Sequence, residues 1–117
     1  MAEARSFHRG PGYLIFHSIG PGSPEHSQRH LHDEYVISCQ LRGGELREFS
    51  REIKRVEPGD VVTINPQQVH SSRALDPDEC HETREFLTFY VERDTVDGIV
   101  TDLGLENVQP EFTANQS

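Results

Sequence analysis

His30 and His32 stand one residue apart, a spacing that puts two side chains on the same face of a β-strand and lets their imidazoles converge. His70 ends the run Gly59-Asp60-Val61-Val62-Thr63-Ile64-Asn65-Pro66-Gln67-Gln68-Val69-His70, which reads as a turn, a strand and a second turn. From there it can close a triad with the pair. Neutral imidazoles ligate first-row divalent ions, and they also serve as hydrogen-bond donors and acceptors. The three histidines therefore indicate either a metal site or the polar lining of a binding pocket. A third reading keeps them as hydrated groups at the mouth of a barrel, bonded to Glu34 or to backbone.

The strand that carries the pair extends this pattern. Glu34, Ser38 and Gln40 share its parity and are polar at alternate positions, so an inner wall built from them needs partners, water or a ligand. Tyr35, Ile37, Cys39 and Leu41 have the opposite parity and are expected to pack between two sheets or against a second subunit. Near the C-terminal end, Phe86, Thr88 and Tyr90 share one face while Leu87, Phe89 and Val91 share the other. Either set can line the cavity. His8, His17, His26 and His81 fall in loops or the first strand and are expected to be solvated.

Elements able to position these groups follow from the punctuation. Short apolar or alternating runs between Gly, Pro and Asp clusters fill residues 13 to 91, the spacing of an all-β fold. Strands are expected at Tyr13 to Ile19, His30 to Leu41 with a bend near Asp33, Glu45 to Phe49, Glu52 to Val56, Val61 to Asn65, Val69 to Ala74 and Glu85 to Val91. Gly20-Pro21-Gly22-Ser23-Pro24 and Asp76-Pro77-Asp78-Glu79 are loops, and Ser50-Arg51 is a hairpin turn. Val96, Ile99, Val100 and Leu103 then recur at helical spacing, which predicts a short amphipathic helix capped by Asp94 and stopped by Gly104. Residues 105 to 117 are expected to form a loose arm. No internal repeat or linker divides the 117 residues, so a single domain is expected.

Composition narrows the function. A formal charge of -9 repels nucleic-acid phosphates, and no stretch concentrates basic residues, so direct nucleic-acid binding by this chain is not expected. The N-terminus lacks the apolar run of a signal peptide, and no apolar stretch reaches membrane-spanning length, which leads to the expectation of a cytoplasmic protein without membrane contact. Cys39 and Cys80 lack C-x-x-C spacing and are expected as free thiols. There is no Gly-x-Ser-x-Gly elbow, and Gly10-Pro11-Gly12 and Gly20-Pro21-Gly22 are too proline-broken to cradle phosphates.

The order of these motifs resembles a known family. His30-Leu31-His32, with Gly43-Gly44 closing the segment, is similar to the first motif of the cupin superfamily, and the run from Gly59 to His70 is similar to the second. The wording His32-Asp33-Glu34-Tyr35-Val36-Ile37, followed by Asn65-Pro66 and Val69-His70-Ser71, resembles the N-terminal ligand-sensing domain of AraC-type transcription regulators over roughly residues 13 to 103. Two departures stand out. Metal-binding cupins place a Glu about four residues after the second His, where this chain has Val36, with Glu34 as the nearest carboxylate. Gln67 replaces the Gly that usually serves a positive-φ turn ahead of His70.

The resemblance implies a cupin-type double-stranded β-helix, or jelly roll, with a barrel over about 13–91, a short C-terminal helix over about 94–103 and an arm over 105–117. It implies a small-molecule-sensing and dimerisation domain that binds a small polar ligand through His30, His32, Glu34, Ser38 and His70. No cofactor is required, no catalytic residue is expected, and a homodimer is. The DNA-binding module that such regulators carry is expected outside this chain. The alternative is a metal-dependent cupin enzyme, of dioxygenase or isomerase type, in which His30, His32 and His70 hold Zn, Ni, Fe or Mn.

Overall fold

A computed structural model describes residues 4–21, 32–49, 51–73, 83–105 and 110–112. His30, His26, Cys80 and His81 lie outside the described residues. Strands are β1 (Ala4–Gly10), β2 (Tyr13–Pro21), β3 (Tyr35–Arg42), β4 (Glu45–Phe49), β5 (Ile53–Val56), β6 (Val61–Ile64), β7 (His70–Arg73) and β8 (Thr83–Val91), followed by α1 (Arg93–Asp102). They form a five-stranded sheet in the order β1-β2-β8-β3-β6 and a three-stranded sheet in the order β5-β4-β7. Every described ladder is antiparallel. This is the all-β, two-sheet arrangement expected from the sequence, although no ladder joins the two sheets among the described residues.

The core lies between the sheets. Val36, Phe49, Val56, Val62 and Ile64 are buried together, with Tyr90 packed against them. Strand pleating explains the selection: Val36 pairs with Ile64 and Ser38 with Val62 on one side, while Glu45 pairs with Val56 on the other. The buried set of β3 is therefore Val36, Ser38 and Gln40. Tyr35, Ile37 and Cys39 occupy the outer face and are half-buried, and Leu41 is exposed, so the expectation that they fill the space between the sheets is corrected. Period-two parity was right, but the apolar side of β3 is the outside.

The second ambiguity resolves the same way. Val36 pairs with Tyr90, Ser38 with Thr88 and Gln40 with Phe86, so Phe86, Thr88 and Tyr90 face inward. Ile15, Phe89 and Ile37 then form one outer row across three strands, with His17, Leu87 and Cys39 beside it.

Local chemistry sets the breaks between strands. The β3–β8 register slips between Gln40 and Arg42, and the buried Gln40 amide donates to the carbonyls of Arg42 and Gly43 at 3.1 and 3.2 Å, satisfying backbone that the bulge leaves without ladder partners. Gly43 has φ +67, and a Cβ there would stand 2.7 Å from the Thr83 carbonyl oxygen. Gln67 keeps the positive φ, at 66°, that a glycine would serve. It accepts the backbone strain while its own amide group is used, as described below.

Three further expectations change. β1 precedes the first expected strand and, among the described residues, has only β2 as ladder partner. Helix α1 starts from Glu92, whose side chain makes no capping bond, and Asp94 sits in the first turn rather than at the cap. No residue of α1 is buried, and Ile99 and Leu103 are 54% and 67% exposed. Part of the expected loose arm is docked: the Tyr35 hydroxyl donates to the Pro110 carbonyl, and Tyr35 and Phe112 meet edge to face at 6.0 Å. No described helix is long and apolar enough to cross a membrane.

Candidate functional site

Polar groups gather where the inner faces of β3, β8, β4 and β7 meet. Ser38 and Thr88, cross-strand partners in one sheet, share a hydrogen bond of 3.2 Å. From the other sheet, Arg47 of β4 reaches to 3.5 Å of the Ser38 hydroxyl through Nη2 and donates through Nε to Glu45 Oε1 at 2.9 Å. Arg84 of β8 donates to the other oxygen of the same carboxylate at 3.0 Å. Glu45 is 1% exposed, so this ion triad ties the two sheets together inside the molecule.

His70 opens β7 beside this group, opposite Phe49, and is 3% exposed. Its Nδ1 lies 3.0 Å from the Gln68 carbonyl oxygen. A carbonyl can only accept, so Nδ1 donates this bond. His32 stands next to it, with ring centroids 5.3 Å apart. The Tyr90 ring meets His32 edge to face at 5.5 Å. Burial pushes the Tyr90 phenol above its ordinary value of 10.0, the Arg47 charge opposes that rise, and the Glu34 charge adds to it. Both charges thus act on the Tyr90 hydroxyl.

The loops at this end are bound to one another. The Gln67 amide N–H donates to the His32 carbonyl at 2.7 Å, and the Gln67 side chain donates to Asp33 at 3.0 Å. Arg93, the first residue of α1, donates to the same Asp33 oxygen at 3.0 Å. These bonds hold the Asp33 carboxyl below its usual range, the Gln67 bond most strongly. Asn65 clasps the C-terminal segment: its Nδ2 donates to the Phe112 carbonyl at 2.9 Å, and its Oδ1 accepts from the Phe112 N–H at 2.7 Å. A cavity of about 250 Å³ lies between Tyr35, Asn65, Arg93 and Pro110. A second, of about 390 Å³, opens over Asp33, Glu34 and Arg93.

Of the residues singled out in the sequence, His32, His70 and Ser38 lie on this inner wall or at its edge, and Glu34 borders the cavity over Asp33 and Arg93. His30 is outside the described residues, so the triad as such has no described geometry. Among the described residues no group of three His, Cys, Asp or Glu side chains is placed to hold a metal ion. His32 and His70 supply neighbouring nitrogens, while the position four residues after His32 carries the buried Val36 instead of a carboxylate. His17, expected to be simply solvated, instead pairs with Glu85 at 2.6 Å on the outer face. Sequence reasoning did not single out Arg47, Glu45 or Arg84, and it named Asn65 only within the motif that carries the family resemblance. Glu45 and Arg47 are two apart in an expected strand, and that parity was the available signal.

Comparisons place this fold among known proteins. The family model described as AraC-like ligand binding domain matches residues 13–116. A search of curated proteins finds no match. Among solved structures, a cupin superfamily protein from Desulfitobacterium hafniense is similar with a TM-score of 0.64 at 11% identity, covering 78% of each chain. An RmlC-like cupin family protein with a double-stranded β-helix fold from Methanocaldococcus jannaschii gives 0.63 at 15% identity, over 83% of this chain and 88% of that one. KdgF from a Halomonas species gives 0.61 at 21% identity, over 80% and 84%. At these identities the likeness is one of fold.

Proposed function

The chain belongs to the family of AraC-like ligand-binding domains, and from that premise we propose that it senses a small polar molecule bound between its two sheets and serves transcription regulation as the sensing part of a regulator. The observation that carries this reading is the chemistry of the inner wall. Ser38, Thr88, Arg47, Glu45, Tyr90, His32 and His70 occupy space that a purely structural sandwich fills with aliphatic side chains. Groups of this kind fix the orientation of a bound molecule through a few directed hydrogen bonds.

Ligand contacts are assigned to His32, Ser38 and His70, with Glu34 at the mouth and His30 joining from the preceding segment. Signal relay is assigned to the bonds around Asp33, because that carboxylate links the residue after His32 to the loop ahead of His70 and to the first residue of α1. Assembly as a homodimer is assigned to exposed apolar surface, including Ile99 and Leu103 of α1, since closed two-fold pairs are the commonest way to cover such surface.

Native mass spectrometry of the untreated protein, combined with metal analysis, reads ligand, metal and oligomer together. The reading expects a dimer carrying a small organic adduct that His70→Ala sheds. A monomer without adduct, or a stoichiometric metal with turnover of a small molecule, defeats it, the latter in favour of metal-dependent catalysis.

A further inference from the structure

The ion triad has one anion for two cations. Each oxygen of Glu45 receives one guanidinium, from Arg47 at 2.9 Å and from Arg84 at 3.0 Å. This excess positive charge sits inside a chain whose acidic residues outnumber its Lys and Arg by 20 to 11, so composition alone does not account for it. Glu34 lies four residues before Ser38, toward the mouth, and not at the triad.

Arg47 is the member best placed to act on a ligand. Its side chain is 13% exposed, so it is removed from most solvent but still reachable. Nε is committed to Glu45, and Nη2 lies at the outer limit of a hydrogen bond from Ser38. Its other N–H groups have no partner among the described residues. A guanidinium fork matches the two oxygens of a carboxylate. Around it stand Ser38 and Thr88, and the Tyr90 hydroxyl lies within the field of Arg47.

We propose that the molecule bound between the sheets is a small organic acid, whose carboxylate is received by Arg47 with Ser38 beside it, while Tyr90, His32 and His70 contact the remainder. This inference rests on the sensing reading above and adds the charge of the ligand to it. Arg47 is then the residue that sets specificity, and Glu45 is a positioning residue that holds the Arg47 fork from behind.

The test uses matched pairs that differ only in carboxylate against hydroxymethyl: benzoate and benzyl alcohol, glycerate and glycerol, gluconate and sorbitol. Binding to the full chain is measured by calorimetric titration, with the Tyr90 and histidine NMR signals reporting where each compound sits. The expected result is that at least one acid binds on the order of tenfold or more tightly than its alcohol. Arg47→Gln should abolish that preference, so that the acid binds no more tightly than its alcohol. Arg47→Lys, which keeps the charge and loses the fork, should retain part of it, and this variant guards against simple misfolding of the first. An alcohol that binds as well as its acid, or an acid preference that survives Arg47→Gln, overturns the assignment and leaves the sensing reading intact. Failure of every compound to move the inner-wall signals counts against both.

Discussion

Asn65→Ala removes a two-point clasp and little else. The wild-type amide donates to the Phe112 carbonyl at 2.9 Å and accepts from its N–H at 2.7 Å. Each intramolecular hydrogen bond contributes about 0.5–1.5 kcal/mol net, so losing both costs about 1–3 kcal/mol. That loss is local, because the strands and core stand without residues 110–112. The docked segment keeps the Tyr35 hydroxyl bond to the Pro110 carbonyl and the Tyr35–Phe112 ring contact, the latter worth about 0.5–1.5 kcal/mol. The variant should therefore loosen the segment without unfolding the sandwich. Hydrogen exchange at the Phe112 amide reports this directly, and its protection should fall by about 5- to 150-fold on that range of energies. Asn65→Asp keeps an acceptor for the N–H but points a carboxylate at the Phe112 carbonyl, so its Phe112 protection should also fall below the wild type's. Equal Phe112 protection in wild type and Asn65→Ala refutes the clasp. An equal loss at Val62 and Ile64 refutes its local character.

Glu45→Gln should lower stability to urea by about 2–3 kcal/mol, less than the full loss for a broken buried pair because water reaches part of both guanidiniums; an unchanged midpoint removes the triad as a structural tie. The raised Tyr90 phenol ionises after its unfolded counterpart, so its contribution to stability is complete below pH 10 and is lost as pH rises through the folded value. Absorbance titration, with Tyr90→Phe as the reference, should show the Tyr90 step move up in Arg47→Gln and down in Glu34→Gln, and the opposite signs contradict the inner-wall placement of Arg47. Calorimetry with Zn(II) and Ni(II) should give modest binding that His70→Ala abolishes, since no carboxylate stands at position 36 to balance the charge; equal binding by both proteins takes His70 out of any metal site.

Much of the fold could be read in the chain because period-two alternation and Gly or Pro punctuation are local signals. The Glu45–Phe49 strand was legible to the residue, and the parity of Ser38 and Gln40 correctly put both on the inner wall. β1 was not legible, since Arg5 to Arg9 carries only Phe7 as an apolar residue and its strand form depends on the β2 ladder. The inward face of β8 was open for a related reason: aromatic residues occupy both parities, and only the registers with β2 and β3 decide between them. Arg47 escaped attention because a charged residue in a short strand ordinarily marks a solvated face. Its meaning comes from Ser38 and Glu45 meeting it across a gap that the local pattern does not encode. Gln67 shows the converse, a departure from the expected glycine that preserves the backbone conformation and adds a bond to Asp33.

The position of β8 has a consequence for how the molecule forms. It is the last strand among the described residues and the middle strand of the larger sheet, with Tyr13 and Tyr35 both opposite Val91. The β2–β8 ladder therefore closes loops spanning most of the sequence, and contacts of such separation delay the ordering that rewards them. During synthesis β2 and β3 emerge well before the strand that joins them. Until β8 arrives, each presents an edge open to the wrong partner. Assembly of the smaller sheet, whose β4–β5 hairpin is local, can run ahead, but the inner wall is complete only when Thr88 and Tyr90 take their places.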